Sequence, residues 1–198
     1  MKTSLRMIIT LAVVGLLAGG SLAFIYQWAQ PKIAAYQKRT LTQAIFDVLP
    51  GTKNYRLIEK NNLKIYRCED TSGNLLGYAI VGEGGGYQDK IRVMVGVKPD
   101  LETLGGIEVL YSKETPGLGG KIATQDILQP SGKTFAQQFQ GLKVSPPIEY
   151  LKNKKPKAPN QIQAITGATI SSRSVVKIIN RVIVSLRTAL EEEGRELK

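Results

Sequence analysis

The sequence predicts an α+β fold: an antiparallel sheet packed with helices, preceded by one N-terminal transmembrane helix. Three observations carry this prediction. An uncharged apolar run extends from Met7 to Ile25. Between Tyr55 and Tyr111, short β-patterned segments alternate with turn residues. From Val175 to Leu190, apolar residues recur at helical spacing. With 198 residues, the chain is long enough for one domain with its own core plus an accessory segment.

The apolar run is rich in Leu, Ile, Val, Ala and Gly, with Lys2 and Arg6 before it and Tyr26 and Trp28 after it. At ~1.5 Å rise per residue it approaches the ~30 Å of a bilayer core, and aromatics often sit at the interface. Ser21-Leu22-Ala23 would pass as a signal-peptidase site. The length of the run and the aromatics favour an uncleaved anchor. Lys2 and Arg6 argue for a cytoplasmic N-terminus, but Lys32, Lys38 and Arg39 nearly balance the count.

Pro31 to Leu49 reads as a second helix, with Pro31 in its first turn, Ile33, Ala34, Leu41, Ala44, Ile45 and Leu49 at helical spacing, and Pro50-Gly51 ending it. The predicted strands are Arg56–Glu59, Lys64–Glu69, Leu75–Val81, Ile91–Val97 and Gly106–Tyr111. Their short connections imply antiparallel pairing. Gly82 to Gly86 reads as a flexible or bulged connection; it lacks the G-x-x-x-x-G-K-[ST] pattern of a P-loop. Lys113 to Gly120 has unusual backbone demands and reads equally as an ordinary surface turn or as a loop displaying Leu118 to cover a flat ligand face. A weak helix is expected at Thr134–Phe139, then a strand over Leu142–Leu151. The lysines at 152, 154, 155 and 157 form a basic run broken by prolines, read first as a solvated loop and second as a local positive potential that attracts a phosphate or an acidic partner. The last helix is expected from about Ser172 to Glu193, with Ser171 or Ser172 as N-cap and a solvent-facing Glu191-Glu192-Glu193 tail.

Composition excludes several kinds of chemistry. The chain has no histidine, so imidazole bases, Ser-His-Asp triads and histidine metal ligands are absent. Its one cysteine, Cys68, sits in a predicted strand and cannot form an internal disulfide or a Cys-x-x-Cys site. The net charge of +11 suggests an anionic surface, cofactor or partner. Nucleic acid is not the expected partner: zinc-finger spacing and aromatic ribonucleoprotein motifs are missing, the basic residues are scattered, and the apolar run points to a membrane.

The segment most able to carry chemistry is Ala164-Ile165-Thr166-Gly167-Ala168-Thr169-Ile170-Ser171-Ser172, directly before the last helix. A loop feeding a helix N-terminus offers free N–H groups and a favourable dipole to a phosphate. Gly167 and Ala168 permit close approach. Thr166, Thr169, Ser171 and Ser172 can donate hydrogen bonds or be esterified. A second reading stays open on residue physics alone: a capped helix start with tight packing. A threonine hydrolase is a weak third, because no adjacent base is visible.

Thr166-Gly167-Ala168-Thr169 followed by Ile170-Ser171-Ser172 resembles the [Ser/Thr]-Gly-Ala-Thr flavinylation motif. That motif marks the FMN-binding domain of the Rnf complex G subunit and of the C subunit of the sodium-pumping NADH:quinone oxidoreductase. Gly77-Tyr78-Ala79, Gly86-Tyr87-Gln88, Ile91-Arg92-Val93-Met94-Val95-Gly96 and Glu114-Thr115-Pro116-Gly117-Leu118-Gly119 resemble the G-subunit family in the family's order. The similarity spans essentially the whole chain.

The resemblance implies a membrane-anchored electron carrier, a redox subunit of an ion-translocating ferredoxin:NAD oxidoreductase with no NADH-oxidising activity of its own. FMN would be bound covalently, its phosphate esterified to Thr169 by a flavin transferase. Thr166, Gly167, Ala168, Ser171 and Ser172 would surround the phosphate, and Glu114, Thr115, Gly117 and Leu118 would lie beside the flavin. The implied divisions are a cytoplasmic tip (1–6), a transmembrane anchor (7–28), a linker helix (29–52) and an FMN-binding domain (53–198) on the outer side of the cell (inner) membrane. Its partners would be the other subunits of the complex. The chain departs from the family pattern at Gln163, where Asp is usual six residues before the modified threonine, and at Ser112, often His. Gln163 is the feature that favours the alternative: an anchored assembly or ligand-binding module on the same fold, without flavin.

Overall fold

The computed structural model describes residues 2–60 and 63–196, with the side chains of residues 2 and 192–196 outside the described set. The residues up to Thr40 form one compact unit and those from Leu41 onward another. The first unit is helical. Helix α1 (Lys2–Val48) carries Pro31 within it, where two helices were expected. A proline removes one i→i−4 bond but does not end a helix whose flanks, Ile25–Gln30 and Lys32–Arg39, are free of further breakers. Its apolar side chains between Leu5 and Ile25 are exposed, and this helix is long and apolar enough to cross a membrane.

The second unit is built on five antiparallel strands in sequential order: β1 (Asn54–Lys60), β2 (Leu63–Glu69), β3 (Leu75–Gly85), β4 (Lys90–Val97) and β5 (Leu104–Tyr111). Each predicted strand is present, lengthened at one or both ends. Two helical elements bury the sheet. The last turns of α1, from Leu41 onward, place Ala44, Ile45 and Val48 on one face against Tyr66, Cys68, Ala79 and Met94. Helix α2 (Thr169–Glu196) covers the other face, with Val175, Ile178, Ile179, Val182 and Leu186 in one core with Ile65, Ile80, Val93 and Val95.

Glycines set how closely these layers meet. The Gly82–Gly86 segment, expected as a connection, belongs to β3 as far as Gly85. A Cβ on Gly82 would stand 2.6 Å from Ile178 and Val182, and one on Gly84 2.7 Å from Ile178. These residues are the seat of α2 rather than a loop. On the other face Gly96 does the same for Val48, whose Cβ would lie 2.9 Å away. The α1 terminus turns at Gly51 (φ 96°), and the Thr52 hydroxyl donates to Leu49 O at 2.7 Å.

The region between β5 and α2 departs most from expectation. The weak helix is a 3-10 turn, Ala136–Phe139, beside which Phe135 is buried together with Phe139. Of the strand expected over Leu142–Leu151, only β6 (Glu149–Leu151) forms. Pro146 and Pro147 lack the N–H groups a ladder needs, so residues 142–148 run irregularly. β6 pairs in parallel with β7 (Gln161–Gln163). Helix α2 begins three residues earlier than predicted, so Ser171 and Ser172 lie inside its first turn and are not its N-cap. Of the expected solvent-facing tail, Glu191 is exposed, and the side chains of Glu192 and Glu193 lie outside the described residues.

Candidate functional site

The turn before α2 is held from within. Ala168 N–H donates to Ile165 O at 3.0 Å, and Gly167 adopts φ 81°. The Ser172 hydroxyl accepts from Ile165 N–H and donates to Ala168 O, both at 3.0 Å. Ser172 is fully buried, so it is a clasp for the turn. Ser171 is also buried, and its hydroxyl donates to Glu114 Oε2 at 2.6 Å. Thr166 is exposed and donates to Asn153 Oδ1 at 3.0 Å; Asn153 sits in the left-handed region at φ 51°.

Thr169 differs from the other three. Its hydroxyl has no hydrogen-bond partner among the described residues, and it lines an open cleft of about 430 Å³. The amide N–H groups of Thr169, Ile170 and Ser171 likewise meet no backbone carbonyl there, since the first helical bond is Ser172 N–H to Ala168 O at 3.1 Å. Three free N–H donors at the positive end of a 28-residue helix give this wall of the cleft a geometry that favours negative charge.

Glu114 is the hub of the opposite wall. It is 6% exposed. Oε1 accepts from Tyr87 N–H at 2.7 Å and Gln88 N–H at 3.1 Å, while Oε2 takes the Ser171 hydroxyl. One carboxylate therefore ties the β3–β4 hairpin, the Lys113–Gly120 loop and the start of α2. Gly86 and Gly119 are close-approach positions: a Cβ on either would collide with this carboxylate. The Ser112 hydroxyl accepts Glu114 N–H at 3.2 Å. Thr115 O receives Leu118 N–H and Gly120 N–H, and its hydroxyl accepts from Gln88 Nε2 at 2.8 Å. Gly117 (φ 77°) shapes the turn without lining the cleft, and Leu118 projects half-exposed toward Gly167.

The structure thus gathers Thr169, Gly167, Ala168, Ser171, Glu114, Thr115 and Leu118 around one cleft, with Thr166 and Gly117 at its margin and Ser172 beneath it. Tyr87, Lys152 and Ile170 line the same cleft, although the motif did not point to them as site residues. Lys152 belongs to the basic run, whose second reading is a positive potential for a phosphate or an acidic partner; it follows β6 directly and lines the cleft beside Thr169. Two other hollows, about 710 and 270 Å³, lie elsewhere and include none of the predicted site residues.

Gln163 has a structural occupation. It is 1% exposed, its Oε1 accepts from Ser131 N–H at 2.9 Å, and its Nε2 donates to Gln129 O. A carboxylate here could accept but not donate. An amide at Gln163 therefore matches the local need of the scaffold, away from the cleft.

A family model described as the FMN-binding domain matches residues 86–184. The chain is 28% identical over 190 residues to the G subunit of the ion-translocating oxidoreductase complex of Methanosarcina acetivorans, covering 92% of this chain and 94% of that one. It is 25% identical over 198 residues to the G subunit of the Na(+)-translocating ferredoxin:NAD(+) oxidoreductase complex of Acetobacterium woodii, covering 92% and 91%. The fold is shared with the crystal structure of NqrC from Shewanella oneidensis (TM-score 0.53, 21% identity, 68% of this chain and 67% of that).

Proposed function

The chain belongs to the FMN-binding domain family, and on that premise we propose that it carries electrons through FMN as the G-type subunit of a membrane-bound, ion-translocating ferredoxin:NAD oxidoreductase. The observation that carries the reading is Thr169: of the four hydroxyls in its loop, it alone lacks a partner among the described residues while facing the cleft. The relatives' names supply the complex; the apolar first helix supplies the anchor.

The residues present fit FMN. The cleft volume lies in the range of small-molecule sites. The free N–H groups of Thr169, Ile170 and Ser171 suit the phosphate, with Lys152 adding positive charge at the cleft. Tyr87, Leu118 and Ile170 offer exposed apolar surface to the ring system. When bound, the flavin supplies one- and two-electron transfer; the protein supplies position and electrostatics. Esterification replaces the Thr169 hydroxyl proton with the phosphoryl group, so the chain gains FMN less water. Glu114, the carboxylate lining the cleft, is engaged by three donors, which leaves activation of Thr169 to a flavin transferase. The hydroxyls of Ser171 and Ser172 are engaged by Glu114 and by the turn itself, so Ser171 would meet the phosphate through its N–H. Ion translocation falls to partner subunits, because one uncharged span offers no pathway. In this reading the FMN domain faces the outer side of the membrane.

The test is direct. Full-length protein from its own membranes, denatured and resolved by electrophoresis, should show in-gel flavin fluorescence and a mass increase of FMN less water. Thr169→Ala should abolish both, and Thr166→Ala should retain them. Wild-type protein without an adduct would leave the flavin-free anchored module as the reading.

A further inference from the structure

The exposed face of α2 carries a row of positive charge that the fold does not use. Arg173, Lys177 and Arg181 are exposed at i, i+4 and i+8, beginning one turn beyond Thr169. None has a hydrogen bond or ion pair with a described residue. From Thr169 to Leu190 the helix contains no Asp or Glu. The row is continuous with the cleft. Asn180 pairs with Ile148 through Nδ2–H to O and Oδ1 from N–H, each at 3.0 Å, so β6 runs beside α2 toward its N-terminus and delivers Lys152 to the cleft. Glu149, the carboxylate on β6, is turned to Gln161 Nε2 of β7 at 3.3 Å.

This arrangement works against helix stability. Like charges at i, i+4 repel, and cations near a helix N-terminus oppose the macrodipole. A partner with negative charge reverses both terms. The face does not suit insertion in a lipid surface, which needs a broad apolar stripe. The apolar stripe of α2 is buried on the sheet. We propose that Arg173, Lys177 and Arg181, with Lys152 at the cleft's edge, form the docking face for an acidic surface of the protein that exchanges electrons with the flavin. This rests on the flavin reading above. Positive charge adjoining the cofactor would steer that partner to the point of transfer and hold its orientation.

The test uses the full chain in its native membranes. Three forms are compared: wild type, the charge-conserving Arg173→Lys/Arg181→Lys variant, and the charge-reversed Arg173→Glu/Lys177→Glu/Arg181→Glu variant. The readouts are in-gel flavin fluorescence, stopped-flow flavin reduction after NADH addition at rising salt, and zero-length carbodiimide cross-links mapped by mass spectrometry. The first two forms should cross-link Lys177 to a carboxylate of another subunit and slow as salt rises. The charge-reversed form, with unchanged fluorescence, should be about 10-fold slower at low salt and show a flat salt profile. A charge-reversed form with normal fluorescence, wild-type rate and wild-type salt profile overturns the docking face. So does a variant altered only in binding to vesicles of phosphatidylglycerol and phosphatidylcholine, which would assign the charge to lipid. Missing fluorescence in the wild type counts against the flavin reading instead and leaves the cross-link measurable, so the two claims fail separately.

Discussion

Glu114 connects three segments that are far apart in sequence. Its carboxylate takes two backbone N–H groups from the β3–β4 hairpin and the Ser171 hydroxyl from α2. Removing it strands the buried Ser171 hydroxyl, an unsatisfied group of the kind that costs about 1–3 kcal/mol, and takes the acceptor from the half-buried Tyr87 and Gln88 N–H groups. Glu114→Ala should therefore lower stability by roughly 3 kcal/mol, seen as a reduced urea midpoint for the full chain in detergent. Its flavin loading should fall as well, because the cleft's two walls are no longer tied. The same logic explains Gln163. An amide that donates to Gln129 O and accepts from Ser131 N–H suits that position, and neither group touches the cleft.

Among the elements, β3 and α2 depend on the absence of side chains at Gly82 and Gly84. Adding a methyl at Gly82 forces Ile178 and Val182 to move, and overpacking of this kind costs about 1–3 kcal/mol. Gly85, at the end of the same strand, has nothing within 4 Å of an added Cβ. Gly82→Ala should lower the denaturation midpoint while Gly85→Ala should leave it nearly unchanged. Equal effects at the two positions would show that strand propensity, not helix packing, governs this stretch. The sequence could not separate these glycines from a loop. A glycine required by a distant helix and one required by a turn are the same letter, and the difference lies in what packs above it.

At the scale of the whole molecule, electrostatics set how stability varies with pH. Glu108 on β5 is pushed above the ordinary carboxylate value by burial and then by the charge of Asp47. A carboxyl with a raised folded pKa binds its proton more tightly folded than unfolded. Its penalty is absent below the unfolded value of 4.5, grows as pH rises from there through the folded pKa, and is complete above it. Glu108→Gln should therefore be more stable than wild type at about pH 8, with the gap closing below pH 4.5. Thermal midpoints across that range test it. A constant gap would mean that packing rather than ionisation separates the two proteins.

Much of this protein was decided by sequence alone. The apolar run, the five strand patterns, the amphipathic last helix and the Thr166–Ser172 loop are local signals: periodicity, turn residues and a motif that neighbouring residues complete. The strand order followed too, because short connections leave antiparallel neighbours as the simple pairing. Residue physics leaves the four hydroxyls of the loop equivalent, and only the family resemblance singles out Thr169. Thr169 is free because Thr166 reaches Asn153, Ser171 reaches Glu114 across 57 positions, and Ser172 closes its own turn. Those partners come from separate stretches of chain. A hydrogen bond depends on positions in space, so only the tertiary structure could assign Lys152 and Tyr87 to the cleft, Gln163 to the scaffold and Thr169 to the open wall of the cleft.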